Sequence, residues 1–323
     1  MAVSAIIGRS SAPGMFPAEL SKELINRVKG ASVLAQLSEQ TPIPFNGKTE
    51  FTFNMDSEVD LVAEGGAKSR AGATFTPITI TPLKVEYGAR FTNEFLWAAE
   101  EEQLGILQQF SEGFARKVAK GIDLMAFHGV NPRTGSIASV ISTNYFDSQV
   151  TQKVVTSVGT TADEQMEAAI ALIQGSNEDA TGAALSPAFR SALAALTTGT
   201  GSKMYPELAW GSAPGSINGL PVGVSSNVSA YPTEETVTVP GDPDPTTATK
   251  TTTDLAFVGN FRDYFRWGYS KEIPMKLIEF GDPDNSGRDL QGHNEIYLRA
   301  EMFVGWGILV PEAFARIVSE VIE

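Results

Sequence analysis

Residues 45–91 constrain this chain more than any other stretch. They read as a long two-stranded β excursion with almost no apolar face to bury. In residues 45–56, Phe51, Phe53 and Met55 alternate with Thr52 and Asn54, which is the period of a strand. A charged, glycine-containing tip follows at 58–70, and a return strand is expected over 75–91. On the return, Ile78 and Ile80 alternate with Thr79 and Thr81. The phase then slips at Pro82 before Leu83, Val85 and Tyr87 resume it, which predicts a bulge or bend. A hairpin alone in water is marginal, because too little apolar surface leaves water to offset chain ordering. Such a ribbon needs a surface to lie on. If its own domain does not supply one, a neighbouring subunit must, which points to an assembly protein. The tip residues Glu58, Asp60, Glu64, Lys68 and Arg70 either pair with that neighbour and set its register or form a solvated loop.

A helix of about 35 residues is expected from Thr92, capped there or at Asn93, and roughly 50 Å long. Leu96, Leu104, Leu107, Phe110, Phe114, Val118, Ile122 and Met125 follow a spacing near three or four and mark one buried stripe. Glu100, Glu101 and Glu102 lie early in it, and Arg116, Lys117 and Lys120 towards its end, as the helix dipole favours. Gly129 and Pro132 stop it. Before the hairpin, Leu20, Leu24 and Val28 suggest a short helix, and Pro42 and Pro44 force an extended segment.

A second unit starts near residue 155. Thr161 and Glu164 form a capping box ahead of a helix carrying Met166, Ile170 and Ile173. Residues 183–185 suggest a buried strand, and Ser186 with Pro187 opens another helix. Strands are expected at 219–224 and 255–258. Between them, 231–254 is rich in Thr, Pro and Asp and reads as a surface loop or insertion. The C-terminal third returns to strands at 273–280 and 294–310, the latter with Ile296, Leu298, Ala300, Met302 and Val304 on one face. A short helix is expected at 311–321.

Chemistry is sparse. No cysteine exists, so disulfides and thiolate metal sites are excluded. No run is apolar and long enough to span a bilayer, and the N-terminus lacks the pattern of a signal peptide. The two histidines, His128 and His293, have no metal or triad grouping in the sequence. Residues 129–136 resemble a phosphate loop but lack the lysine and follow a helix. Residues 282–287 resemble the start of a calcium loop, but His293 stands where the bidentate glutamate belongs, so a turn is expected. No catalytic residue, metal or cofactor is therefore assigned. The net charge of −14 argues against a chain whose task is to grip phosphates.

The order of parts then resembles one family. Ala63-Glu64-Gly65-Gly66 lies in the tip, with Phe75-Thr-Pro-Ile78 and Thr81-Pro82-Leu83-Lys84 on the return. Asp123 to Gly129 closes the helix. Later come Ser186-Pro187-Ala-Phe189, Gly219-Leu220-Pro221-Val222, Val258-Gly259-Asn260-Phe261 and Val310-Pro311-Glu-Ala-Phe314. Across nearly the whole chain this looks like the major capsid proteins of tailed phages, the Hong Kong 97-like fold. The resemblance implies an α+β protein with an N-terminal arm (1–44) and an extended β-hairpin loop (45–91). It also implies a peripheral domain with a long spine helix and sheet (92–150 and 256–323) and an α/β axial domain (151–255).

By that resemblance the chain is structural and not an enzyme. It self-assembles as hexamers and pentamers into an icosahedral shell around the double-stranded DNA genome, without sequence-specific DNA binding and without a membrane. The shell is part of the virion and is assembled in the host cytoplasm. Many relatives carry a scaffolding segment ahead of the arm. Here Met1 begins almost at the arm, so a separate scaffolding protein is expected, along with a portal and cement proteins as partners. Some relatives join a loop lysine to an asparagine of another subunit with a glutamate as base. Lys68, and Asn285 or Asn294, are the residues that chemistry would use here, and it needs a glutamate within hydrogen-bond reach, which sequence alone does not place. The alternatives are an encapsulin-type bacterial compartment of the same fold and, further away, a soluble hydrolase working with two carboxylates.

Overall fold

Two sheets meet at one aromatic hub, and the hub fixes where the other elements sit. The computed structural model describes residues 32–55, 57–94, 100–211, 215–239, 246–269 and 275–322. The short helix expected near residues 20–28 and Leu96 lie outside them, and the side chains of Glu100, Glu101, Glu102 and Leu104 are likewise outside the description. The main elements run α1 (Val33–Leu37), β1 (Lys48–Met55), β2 (Ala73–Ile80), β3 (Leu83–Thr92), α2 (Glu100–His128), α3 (Phe146–Gln149), β4 (Lys153–Val155), α4 (Ala162–Gly175), β5 (Gly182–Leu185) and α5 (Pro187–Ala195). They continue with β6 (Ser216–Ile217), β7 (Leu220–Val224), β8 (Thr233–Val239), β9 (Thr246–Gly259), β10 (Phe265–Tyr269), β11 (Met275–Ile278), β12 (Glu295–Ile308) and β13 (Phe314–Ile322).

The smaller sheet is built on β12, which pairs antiparallel with β10, β11 and β3. Ile296, Leu298, Ala300, Met302 and Val304 are buried from one face of β12, as their alternation predicts. They share a core with Leu107, Phe114, Val118, Ile122 and Met125, the apolar stripe of α2. The larger sheet has the order β4-β13-β9-β5-β7-β6, with β8 added to β9. Its central strands are buried on both faces. Ala184, Phe257 and Phe314 face the core shared with α2, whereas Ala183, Leu185, Ala256, Val258, Ala315 and Ile317 face a second core under α4 and α5. Both helices start as the sequence dictates. The Thr161 N–H donates to Glu164 Oε2 at 2.9 Å, and Ser186 Oγ accepts from the Phe189 N–H at 3.2 Å.

At the hub, the Phe146 ring lies within 6 Å, centroid to centroid, of Phe127, Phe257, Phe261, Phe265 and Phe314. These rings come from α2, from both sheets and from the connections between them, so one cluster joins the helix to the two sheets. The segment ahead of the hairpin is anchored to it as well. Buried Asp123 of α2 accepts from Ser32 Oγ (2.6 Å), the Val33 and Leu34 N–H groups (3.2 and 3.3 Å) and Asn227 Nδ2 (3.1 Å). Burial pushes this carboxyl up while those donors hold it down. Further on, the Thr41 N–H donates to the Trp267 carbonyl at 2.8 Å. Gly268 makes that approach feasible, because a Cβ there would stand 1.7 Å from the Thr41 carbonyl oxygen.

Four expectations change. The expected return strand is two strands. β2 pairs with β1, but β3 leaves the hairpin and pairs with β12 along its whole length, from Leu83 opposite Val304 to Thr92 opposite Glu295. The slip at Pro82 is thus a change of partner. The long helix is 29 residues as described, with Thr92 ending β3 instead of capping it. Residues 231–254 form a β-hairpin with a tip outside the described residues, and β9 runs unbroken from it into the core. Threonine is β-branched, so a Thr-rich segment poor in apolar residues still makes strand. Residues 311–321 are a 3-10 turn (Pro311–Ala313) followed by β13, not a helix. A strand buried on both faces reads as a continuous apolar run, which periodicity alone does not separate from a helix.

Candidate functional site

The β1–β2 ribbon has two unlike faces. Register places Phe51 opposite Pro77, Phe53 opposite Phe75 and Met55 opposite Ala73, so these six share one face. That face is open to solvent: Phe51 is 67% exposed, Phe53 50%, Met55 68% and Phe75 65%. The sequence suggested almost no apolar face here. The structure shows one, left uncovered by the other described residues. Among the described residues the ribbon is fixed at its base. Ile80 is fully buried against Gly305 and Gly307 of β12, and a Cβ at Gly307 would come within 2.8 Å of it. Phe45 packs edge-on against Phe303 of the same strand, with centroids 5.1 Å apart. Beyond Met55, Glu58, Asp60, Glu64, Lys68 and Arg70 are all exposed, and no ion pair joins them to a described residue. Leu61, between the tip acids, is 98% exposed.

The loop between β11 and β12 carries the two asparagines, Asn285 and Asn294. Both are exposed and left-handed at φ 53°. The Asn294 carbonyl accepts from the Asn93 N–H at 2.8 Å. The loop is organised by Arg90 of β3, which donates to Asp282 and Glu295 at 2.8 Å and also binds Asp284. Asp282 accepts in turn from the Ser286 and Gly287 N–H groups, so the calcium-like stretch is a turn braced by an arginine. The Arg90 guanidinium holds Asp284 well below the usual carboxylate range and lowers Glu295 too. Glu295, next to Asn294, also pairs with Arg288 at 2.9 Å. A carboxylate so held is a weak base. His293 is exposed, its Nδ1 within 2.9 Å of the Asp289 carbonyl oxygen.

His128 belongs to a grouping that the sequence did not reveal. Its Nε2 donates to the Asn227 carbonyl at 2.9 Å and its Nδ1 to Asp147 Oδ2 at 2.7 Å. Both ring nitrogens therefore face acceptors, which is the arrangement of an imidazolium. Burial alone would lower its pKa, but Asp147 first and then Asp254 raise it above the ordinary value. Arg316 of β13 completes the group. It donates to both Asp254 oxygens at 2.8 and 2.9 Å and to the Asp147 backbone carbonyl at 3.0 Å. Its contact with Asp147 Oδ1 at 3.0 Å is an ion pair without hydrogen-bond alignment. Burial and then the Asp147 charge push Asp254 up to about 6, against the pull of Arg316.

His128, Asp147 and Asp254 lie close enough to hold a metal ion. The guanidinium already takes the cation's place between the two carboxylates, and both imidazole nitrogens are spent, so the donor set does not suit one. The same guanidinium lies between half-buried Asp147 and buried Asp254, so this pair is not free for two-carboxylate hydrolysis. A cleft of about 420 Å³, lined by Tyr145, Lys153, Tyr231, Glu234 and Lys250, opens onto the group. One signal for the quartet was present in the sequence: Arg316 interrupts an otherwise apolar run from Phe314 to Val318.

Comparison with known proteins completes the picture. The model of the phage capsid family matches residues 14–319. A solved structure from Mycobacterium phage Ogopogo is 33% identical, with a TM-score of 0.73, covering 90% of this chain and 92% of that one. One from Gordonia phage Cozz is 21% identical at a TM-score of 0.68, over 89% and 86%. A chain described as the capsid of a native GTA particle is 13% identical at 0.59, over 96% and 93%. The last two show likeness of fold. No curated protein matches the chain.

Proposed function

The chain belongs to the phage capsid family, a major capsid protein of Hong Kong 97-like fold whose copies form the capsomers of an icosahedral shell, and from that premise we propose how its parts do so. The β1–β2 hairpin lies across a neighbouring subunit and buries its apolar face there. The observation that carries this reading is the row Phe51, Phe53, Met55 and Phe75, left open to solvent, whereas Phe127, Phe146, Phe257, Phe261, Phe265 and Phe314 are buried at the hub. Burial recovers about 25 cal/mol for each Å² of apolar surface removed from water, so a repeated hairpin contact adds up over a shell. Glu58, Asp60, Glu64, Lys68 and Arg70 set its register by pairing across the contact.

In this reading residues 1–44 are the arm and 45–91 the extended loop. The spine helix and the β12 sheet form the peripheral domain, and residues 151–255 form the axial domain. The subunit is structural and does no catalysis, and the buried quartet serves the fold. Hexamers and pentamers enclose double-stranded DNA, helped by a separate scaffolding protein and a portal during assembly in the host cytoplasm. A Lys68 cross-link to Asn285 or Asn294 finds little support, since the glutamate beside Asn294 is held by two arginines.

The test is deletion of residues 62–72. The expected outcome is a folded, soluble subunit that no longer closes shells, read by sedimentation velocity and negative-stain microscopy. Unfolding of the subunit would place the loop in its core, and normal shells would show the tip to be dispensable.

A further inference from the structure

The outer face of α2 carries Gln109, Gly113, Arg116, Lys117 and Lys120, all exposed. Arg116 and Lys120 stand one turn apart and Lys117 flanks them, so three cations share one ridge. A side chain at Gly113 would meet nothing within 4 Å, so the ridge is open. Among the described residues none of the three cations has an ion-pair partner. Two ordinary explanations fail. The help expected from the helix dipole does not reach them, because it acts within the last turn and Lys120 precedes His128 by more than two turns. Glu112, one turn before Arg116, accepts instead from Gln108 at 3.4 Å. A concentrated cationic ridge on a chain of net charge −14 calls for an anionic partner.

We infer that this ridge contacts the phosphate backbone of duplex DNA from the surface of the subunit that faces the inside of the shell. The inference rests on the shell reading and adds an orientation to it. The polyanion that every copy in a closed shell meets is the genome. Lysine and arginine on phosphates read no sequence, as suits a lining that touches DNA wherever it falls. Three cations bind weakly in each copy, and the acidic remainder of the chain keeps the DNA from being gripped.

The test uses a variant with Arg116→Gln, Lys117→Gln and Lys120→Gln and a fluorescein-labelled 24-base-pair duplex. Binding to unassembled protein is measured by anisotropy from about 50 to 200 mM salt. Each neutralised phosphate contributes about 0.9 to the slope of log affinity against log salt. The wild type should therefore exceed the variant by about 2.7 in slope, losing about 40-fold more affinity across that range. Equal slopes overturn the proposal. Independently, wild-type shells are treated with a bulky amine-reactive polymer that closed shells exclude. Lys117 and Lys120 should be protected in shells and modified in free subunits. Modification in intact shells puts the ridge outside and also overturns the proposal. If the variant binds duplex like wild type but fails to assemble with a co-expressed scaffold, the partner is an acidic protein segment instead. If wild-type protein co-expressed with its scaffold makes no capsomers or shells, the shell reading fails, while the salt slopes still decide whether the ridge binds DNA.

Discussion

The hairpin and the hub use the same residue type to opposite ends. Phe51, Phe53 and Phe75 sit on a two-stranded ribbon with water on their rings, while Phe127, Phe146, Phe257 and Phe314 stack inside the fold. The hub rings are satisfied within one chain, and the ribbon rings are not. The contrast teaches that aromatic content does not by itself measure how stable a subunit is. On the proposed docking of the ribbon, part of it belongs to the assembled state.

Changes at the hub should therefore break the subunit, and changes on the ribbon only the assembly. The largest effect is expected from Phe146→Ala, which removes the ring that touches every other hub ring and should cost about 3–5 kcal/mol in urea unfolding of the free subunit. A loss below about 1 kcal/mol would dissolve the contrast. Next, Arg316→Met strands buried Asp254 and half-buried Asp147 and should cost about 3 kcal/mol by the same measurement. A neutral result would mean that the quartet contributes nothing net.

The quartet also sharpens the comparison through pH. His128 has a raised folded pKa, so its contribution is full below the ordinary value of 6.5 and is lost as pH rises through the folded value. Asp254, raised from 3.8 to about 6, acts in the same direction between those two values. The exposed carboxylates around Arg90 have lowered values and act oppositely, adding stability as acid is removed. Subunit stability should accordingly decline above pH 6.5, and His128→Gln should flatten that decline. An unchanged slope in the variant would assign the decline elsewhere. The smallest effect on the free subunit is expected for Phe51→Ser with Phe53→Ser, within about 0.5 kcal/mol of wild type, since surface changes usually stay in that range. The same pair should abolish shells in the microscope. Destabilisation with normal shells would invert the reading of the two regions.

The hairpin's period, the α2 stripe, the face of β12 and the caps of α4 and α5 were legible because each is a local pattern. The partner of β3 was not, because alternation reports a face and leaves open which strand lies beside it. β13 was misread because burial on both sides erases the alternation that marks a strand. The quartet, apart from the signal of Arg316 in an apolar run, was not legible for another reason. Its members come from α2, α3, β9 and β13, and only the folded chain brings His128 to Asp254. The openness of the ribbon could be argued from the sequence, but its apolar face was underestimated, since pairing Phe53 with Phe75 requires the register.

The switch of partner at Thr81 and Pro82 has a mechanical consequence. A neighbour that tugs on the ribbon delivers the load to Leu83, the first residue of β3. From there a ten-residue ladder to β12 takes the strain in shear, with many bonds loaded together, so one hairpin can act as a tether between subunits without peeling the sheet that anchors it.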